Sequence, residues 1–187
     1  MQNAMLTLAR RLGRGLKHFA VERRGLAAVE FAALLPVMAT LYLGSIEVTT
    51  AVAIQRKVDL TARSLADLTS QFTAVSNADM TNILNSSSAI IAPYPSARLA
   101  SVVSELSINA QGQATVVWSD TLNGTARSVG QIVAVPSNLA VPNTNLILGE
   151  VQYTYTPPYG YVVTGTMTLS DQIYMRPRQS NSIARNP

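Results

Sequence analysis

The chain of 187 residues contains no cysteine and a single histidine, His18. The lack of cysteine excludes disulfide scaffolds, cysteine-ligated zinc and thiol catalysis. Because His18 lies near the N-terminus, a Ser-His-Asp arrangement in the body of the chain is excluded as well. The sequence also lacks a phosphate-binding glycine loop, a metal-ligand cluster and a nucleophile elbow. We therefore predict a protein that is not an enzyme and that has no catalytic residues, metal or cofactor.

Charge is scarce, and it is unevenly distributed. Lys and Arg number 14 and Asp and Glu 10, which gives a net charge of +4. Six of the basic residues lie in the first 24 positions, beside one acid, Glu22. From Gly25 onward there are 8 basic and 9 acidic residues. A nucleic-acid-binding domain carries its basic residues through the folded part, so we expect no nucleic-acid partner.

A long apolar run follows the basic cluster. Taken as a helix, residues 26–46 span about 31 Å, which matches the ~30 Å hydrocarbon core of a bilayer. Residues 31–46 contain no charge. Basic residues precede the run, so the positive-inside rule places the N-terminus in the cytoplasm and everything after about Ile54 outside. We predict a transmembrane helix with membrane lipid as a partner; a buried core helix is the alternative.

Two acids and a proline interrupt the apolar run. Glu47 lies at its outer end, where a carboxylate can reach water. Glu30 lies about 6 Å inside the inner end. It either reaches the headgroups, or pairs with Arg23 or Arg24, or awaits a partner within the membrane. Pro36 lacks a backbone N–H and predicts a kink.

Two short segments resemble one family. Residues 23–36 resemble the N-terminal signature of the TadE/TadG-like pseudopilins of the tight-adherence (Flp-type, type IV-like) pilus system. In that signature a basic leader ends in glycine, here Gly25, and the fifth residue of the apolar helix is glutamate, here Glu30, followed by Phe31 and by Pro36. The segments Tyr153-Thr-Tyr155-Thr-Pro157 and Tyr174-Met-Arg176-Pro177-Arg178 resemble the family's closing strands.

The resemblance implies a processing site and a set of partners. A prepilin peptidase would cleave between Gly25 and Leu26, although larger TadG-like relatives retain their N-terminus. The new amino group at Leu26 could be neutralised by Glu30 of a neighbouring subunit, with Glu30 and Phe31 in the paired membrane helices. The implied partners are other pilus subunits and the assembly machinery of the bacterial inner membrane, with the C-terminal domain in the periplasm.

The predicted fold class is α+β. A basic leader (1–25), with apolar residues at helical spacing, would lie on the inner leaflet or be discarded. A transmembrane and extended helix (26–74) would continue into a periplasmic domain (75–178), and a polar tail (179–187) would be mobile. The extended helix has a stripe of residues spaced three or four apart that should pack on the domain: Ile54, Val58, Ala62, Leu65, Leu68 and Phe72.

The predicted periplasmic domain begins with a short helix capped by Asn77 or Asp79 and stopped by Pro93. Its buried face would contain Met80, Ile83, Leu84 and Ile91. Four antiparallel strands would follow, with one face covered by the long helix. They are residues 99–108, 114–119 with Trp118 facing the core, 150–156 and 167–175. Residues 120–149 predict an irregular loop with a short edge strand.

Aromatic and basic residues are frequent near the C-terminus. The tyrosines, Tyr153 and Tyr155 among them, either pack between strands or present a contact surface to another pilus subunit. Arg176 and Arg178 either belong to that surface, or cap the end of the sheet, or pair with an acid such as Asp171.

Two functions from different classes fit these patterns. The first is a minor pseudopilin or assembly factor of a tight-adherence pilus, either a filament subunit or a protein that primes assembly. The alternative is a secreted periplasmic binding or carrier module, whose apolar run would be a signal peptide cut after Ala51-Val-Ala53. The N-terminus of the mature protein distinguishes them.

Overall fold

A computed structural model of the chain describes residues 23–160 and 165–186. Residues 1–22 of the predicted leader (1–25) lie outside these ranges, as does Tyr161, another of the C-terminal tyrosines. The chain divides into two compact units, residues 1–46 and 47–187, and each is considered separately.

Helix α1 runs from Arg23 to Ser70, 48 residues, and confirms the predicted long helix. Residues 25–43, in the first unit, are all exposed to solvent. Of the described helices, α1 is the one that is long and apolar enough to cross a membrane. A helix that is apolar on every side and unburied is typical of a membrane span, so α1 indicates a membrane anchor.

In the second unit, one face of α1 packs against the domain. Ile54, Val58, Ala62 and Leu65 are buried in its main hydrophobic core, which confirms most of the predicted stripe. Leu68 is the exception, because its side chain is 36% exposed. Past Leu65 the buried positions are Ala66, Thr69 and Ser70, so the buried face passes beside Leu68.

Helix α2 (Asn77–Ile91) begins with a capping box. Strand β1 (Ala74–Val75) precedes it. The Ser76 hydroxyl accepts the N–H of Asp79 at 3.2 Å, and the Asp79 carboxylate accepts the N–H of Ser76 at 3.1 Å. The prediction that Asn77 or Asp79 is the cap is therefore wrong, since Ser76 occupies that position and Asp79 is the third helical residue. The Ser76 hydroxyl also donates to the Asp79 carboxylate at 2.6 Å, and this bond, together with the one from the Ser76 N–H, lowers the pKa of Asp79. The predicted buried face is confirmed.

The sheet has five antiparallel strands in the order β4-β3-β2-β5-β6, which are the four predicted strands and the short edge strand. They are β2 (Leu99–Ile108), β3 (Ala114–Leu122), β4 (Ile132–Val133), β5 (Thr144–Tyr155) and β6 (Met167–Met175). The β2–β3 hairpin and the short edge strand β4 agree with the sequence analysis. The predicted loop over 120–149 is wrong at both ends, because β3 continues to Leu122 and β5 begins at Thr144 rather than at Glu150.

Each face of the sheet carries a hydrophobic cluster. The face toward α1 contributes Val103, Trp118, Val151 and other residues to the main core. The opposite face carries a smaller cluster, which includes Leu106, Val116, Val133, Leu146 and Leu148. The β2–β3 register is irregular between Glu105 and Leu106, and both of these residues are buried.

The C-terminal segment is attached to the domain, contrary to the predicted mobile tail. Strand β7 (Ala184–Arg185) pairs in parallel with β1. The Arg185 guanidinium donates to both oxygens of Asp120 at 2.8 and 3.0 Å, and Ile183 is buried in the core. The polar composition of the segment does not reveal this attachment, because backbone pairing, one buried apolar side chain and an ion pair hold it.

Candidate functional site

The residues of the predicted processing and pairing site lie on the exposed N-terminal part of α1. Gly25, Leu26, Glu30 and Phe31 are helical and solvent-exposed. Each is therefore accessible to another protein or to lipid, and none is needed to fill this chain's own core. Their roles in cleavage and subunit pairing remain predictions.

Pro36 lies within α1, which continues on both sides of it. Thr40 donates its hydroxyl hydrogen to the carbonyl oxygen of Pro36 at 2.8 Å. Proline supplies no N–H to the carbonyl four residues earlier, which here is Ala32. That carbonyl is the point where a partner helix could donate a hydrogen bond, and the kink itself remains a prediction.

Glu47 is buried rather than in contact with water, contrary to the sequence analysis. Its side chain is 9% exposed. One carboxylate oxygen accepts the backbone N–H groups of Tyr159 at 2.6 Å and Gly160 at 2.5 Å. A side chain at position 160 would collide with the other carboxylate oxygen. Two consecutive N–H groups form a small anion-binding concavity. Glu47, the first residue of the second unit, therefore holds the β5–β6 turn at residues 159 and 160.

Tyr153 and Tyr155 are buried in the core on the α1 face of the sheet. The ring of Tyr153 packs edge-to-face on Tyr94, with centroids 6.5 Å apart. The predicted contact of these two tyrosines with another subunit is therefore wrong for this chain as folded, because their rings have no free surface. The alternative interpretation, packing between strands, is the one that the structure supports.

Burial raises the pKa of Tyr153, Tyr155 and Tyr174, and the charges of Glu47 and Glu150 add to the effect at Tyr155 and Tyr174 respectively. An unfolded tyrosine ionises near pH ~10. Above that pH the unfolded chain loses protons that the folded chain keeps, so stability falls as pH rises. We expect the melting temperature to decrease between about pH 9.5 and pH 11.5, together with delayed phenolate absorbance at 295 nm. A melting temperature independent of pH over this window would contradict the burial of these hydroxyls.

Arg178 fastens the end of α1 to the segment after β6. Its backbone N–H donates to the carbonyl oxygen of Ser70 at 2.9 Å, and its guanidinium forms an ion pair with Asp67. The predicted pairing of Arg178 with an acid is therefore confirmed, although the acid is Asp67 rather than Asp171. The N–H satisfies one of the carbonyls that a helix C-terminus leaves open. Arg176 is exposed, and its role as a subunit contact remains a prediction.

A cleft of about 560 Å³ lies on the sheet face opposite α1. Its floor includes Ala100 and Val102, and its wall carries the Arg127–Glu150 ion pair. The guanidinium donates to both carboxylate oxygens at 2.7 and 2.6 Å, so each charge is already satisfied. This pair raises the pKa of Arg127. Within residues 23–160 and 165–186, no group of three His, Cys, Asp or Glu could hold a metal ion.

Two buried carboxylates, Glu47 and Glu105, do not follow from the sequence analysis. Glu105 is 1% exposed and accepts hydrogen bonds from Trp118, Asn145 and the backbone of Ile183. The sequence contains a weak signal for Glu105, since an acid within an otherwise uncharged strand needs an internal partner when it is buried.

Comparison with known proteins gives information about helix α1. No curated protein and no solved structure matches the chain. The model of the TadE-like protein family matches residues 25–67. The matched segment begins at Gly25 and contains Leu26, Glu30, Phe31 and Pro36. Residues 25–67 are therefore similar to the TadE-like family, which confirms the resemblance seen in the N-terminal signature and suggests a component associated with the tight-adherence pilus.

Proposed function

We propose that the protein is a minor pseudopilin or assembly factor of a tight-adherence pilus. Residues 26–46 would anchor it in the inner membrane, with the N-terminus in the cytoplasm and the residues after about Ile54 in the periplasm. The observation that carries this proposal is the TadE-like match, which starts at Gly25 and places glutamate fifth after it.

Cleavage after Gly25 by a prepilin peptidase would create a charged amino group at Leu26, in an apolar environment. A charge there needs an opposite partner. Glu30 is the acid nearest to Leu26 on the C-terminal side, and its side chain is exposed on α1. Pairing of Leu26 in one subunit with Glu30 in the next would set the register of parallel helices. The exposed apolar surface of residues 25–43 supports helix or lipid contacts on every side.

The structure supports retention of the apolar segment over its removal as a signal peptide. Cleavage after Ala53 would remove Glu47, whose carboxylate binds Tyr159 and Gly160. It would also remove Ala51, which packs against the main core, and would leave Ile54 as a buried terminus. A secreted module cut there would lose contacts that its own domain uses.

Glu30→Gln and Glu30→Leu are expected to abolish most piliation while leaving the protein in the membrane. A buried charge left without its partner costs roughly 3–5 kcal/mol, so we expect the number of surface pili to fall by about tenfold or more. Pili are counted by electron microscopy, and insertion is measured by resistance to alkaline extraction. Asp59→Asn, which alters an exposed acid of the same helix beyond the span, is the control. Normal piliation of both Glu30 variants would contradict the proposed pairing.

N-terminal sequencing of the mature protein tests processing separately. A start at Leu26 is expected. A start near Ile54 would instead support the secreted module, and an intact Met1 would remove the peptidase step from the proposal while leaving the anchor.

A further inference from the structure

Three uncharged stretches of the chain meet at Glu47. Residues 31–46, 48–55 and 151–170 contain no Asp, Glu, Lys or Arg. The first two adjoin Glu47 in sequence. The third is brought to it by the hydrogen bonds from Tyr159 and Gly160, at 2.6 and 2.5 Å. Glu47 is thus the one charged residue within residues 31–55 and the point where the β5–β6 turn is held.

The charge of Glu47 is directed inward. Its carboxylate is 9% exposed and accepts two backbone N–H groups. The exposed side chains nearby in the sequence and on the turn are uncharged instead: Val48, Thr49, Val52 and Tyr159. The domain therefore presents an uncharged surface around the residue that follows the apolar segment.

Because Glu47 directly follows the apolar segment in the chain, the position of this surface relative to the membrane can be inferred. If residues 26–46 cross the bilayer, Glu47 lies at its outer boundary, and the backbone of Tyr159 and Gly160 lies one hydrogen bond from it. Tyr159 is 65% exposed. A tyrosine with an apolar ring and a polar hydroxyl is suited to the headgroup layer, where aromatic residues are enriched.

We propose that the β5–β6 turn is a second membrane contact, with Tyr159 inserted in the interfacial layer of the outer leaflet of the inner membrane. The proposal rests on the proposed membrane anchoring. Glu47 positions the turn, since its carboxylate fixes the backbone on which Tyr159 is carried. Because Val48, Val52 and Tyr159 carry no charge, the contact depends on burial of apolar area and not on anionic lipid.

The lack of cysteine in the chain permits a direct test. Tyr159→Cys in the full-length protein is labelled with the environment-sensitive fluorophore NBD and reconstituted in phosphatidylcholine vesicles. Lipids with a doxyl quencher near the headgroup are then added. We expect blue-shifted emission and at least about twofold more quenching than at an exposed distal site. The result should not change when anionic lipid is included.

Val129→Cys is the distal control, because Val129 is 74% exposed. Val129 lies at the end of the sheet away from the turn. Its neighbour Gly130 is hydrogen-bonded to Val116, and Val116 and Leu146 are both strand partners of Leu106. Leu146 and Tyr155 are nine positions apart, about 30 Å along the strand. Pro158→Cys, also exposed, repeats the measurement at a second turn position.

Leu41→Cys, within the apolar segment, reports on the anchor itself. Quenching at position 41 with water-like emission at 158 and 159 would overturn the turn contact and leave the anchor standing. Blue-shifted emission at 159 without quenching by lipid would mean contact with protein, which also overturns the proposal. Absence of quenching at position 41 would contradict the anchoring on which the proposal depends.

Discussion

Gly149→Ala is expected to lower the free energy of unfolding by about 2–3 kcal/mol, because overpacking at a rigid contact is destabilising. Gly149 lies on β5 beneath α1. A Cβ atom there would lie 2.7 Å from the carbonyl oxygen of Ala62 and 3.2 Å from the Cβ of Ala66. The first neighbour is helix backbone, which cannot move aside as a flexible side chain can. Relief of the clash would require α1 to shift away from the sheet.

The effect of Gly149→Ala is measured by thermal or denaturant unfolding of the full-length protein in detergent. Trp118 is the only tryptophan and is buried in the core on the same face, so its fluorescence reports on the packing directly. Gln152→Ala, at an exposed position of the same strand, is the matched control and should change stability by less than about 0.5 kcal/mol. A Gly149→Ala variant as stable as this control would mean that the helix and the sheet tolerate a wider separation.

The close approach at Gly149 shows why some of the fold could be predicted and some could not. The stripe of Ile54, Val58, Ala62 and Leu65 follows from helical periodicity, which needs no knowledge of the partner surface. Which turn of α1 meets which strand depends on side-chain volume on both surfaces. The small residues Ala62, Ala66 and Gly149 permit this contact, and no local pattern pairs them.

The missing part of β5 has a similar explanation. Alternation of apolar and polar residues predicts a strand over residues 150–156, where Val151, Tyr153 and Tyr155 face α1. In the first half of the strand, Leu146, Ile147 and Leu148 are all buried, on two different faces. A strand covered on both sides loses the period-two signal, so its first half could be taken for part of a loop.

The candidate site divides in the same way. Gly25, Leu26 and Glu30 form a local signature, and the family match covers them. The hydrogen bonds from Tyr159 and Gly160 to Glu47 connect residues that are 112 and 113 positions apart in the sequence. The burial of Tyr153 likewise depends on the tertiary fold. The local sequence shows where the tyrosines are, but whether they are buried depends on the folded chain.

Glu105→Gln is expected to lower the free energy of unfolding by about 2–4 kcal/mol, because it places a buried hydrogen-bond donor against other donors. The Glu105 carboxylate accepts three hydrogen bonds. One oxygen accepts from Asn145 and from the N–H of Ile183, both at 2.9 Å, and the other accepts from the indole N–H of Trp118 at 2.7 Å. A carboxylate only accepts, whereas a carboxamide has one accepting oxygen and one donating nitrogen. In either orientation the glutamine NH₂ group faces a donor.

The Glu105 network also holds the C-terminal segment, since Ile183 is one of the three donors and precedes β7. Glu105→Gln should therefore release residues 183–186 first, seen as faster hydrogen exchange at Ile183 and Ala184 than in the parent protein. Glu150→Gln is the matched control, because Glu150 is only partly buried and its pair with Arg127 is reached by solvent. Its cost should stay near 1 kcal/mol or below.

A double-mutant cycle separates the hydrogen-bond conflict from a loss of packing. Trp118→Phe removes one donor that opposes the glutamine, so its cost should be smaller in the Glu105→Gln background than in the parent protein, by about 1 kcal/mol or more. Unfolding is followed by far-UV circular dichroism, since the variant has no tryptophan. Simple additivity of the two substitutions would show that Trp118 and Glu105 do not depend on each other.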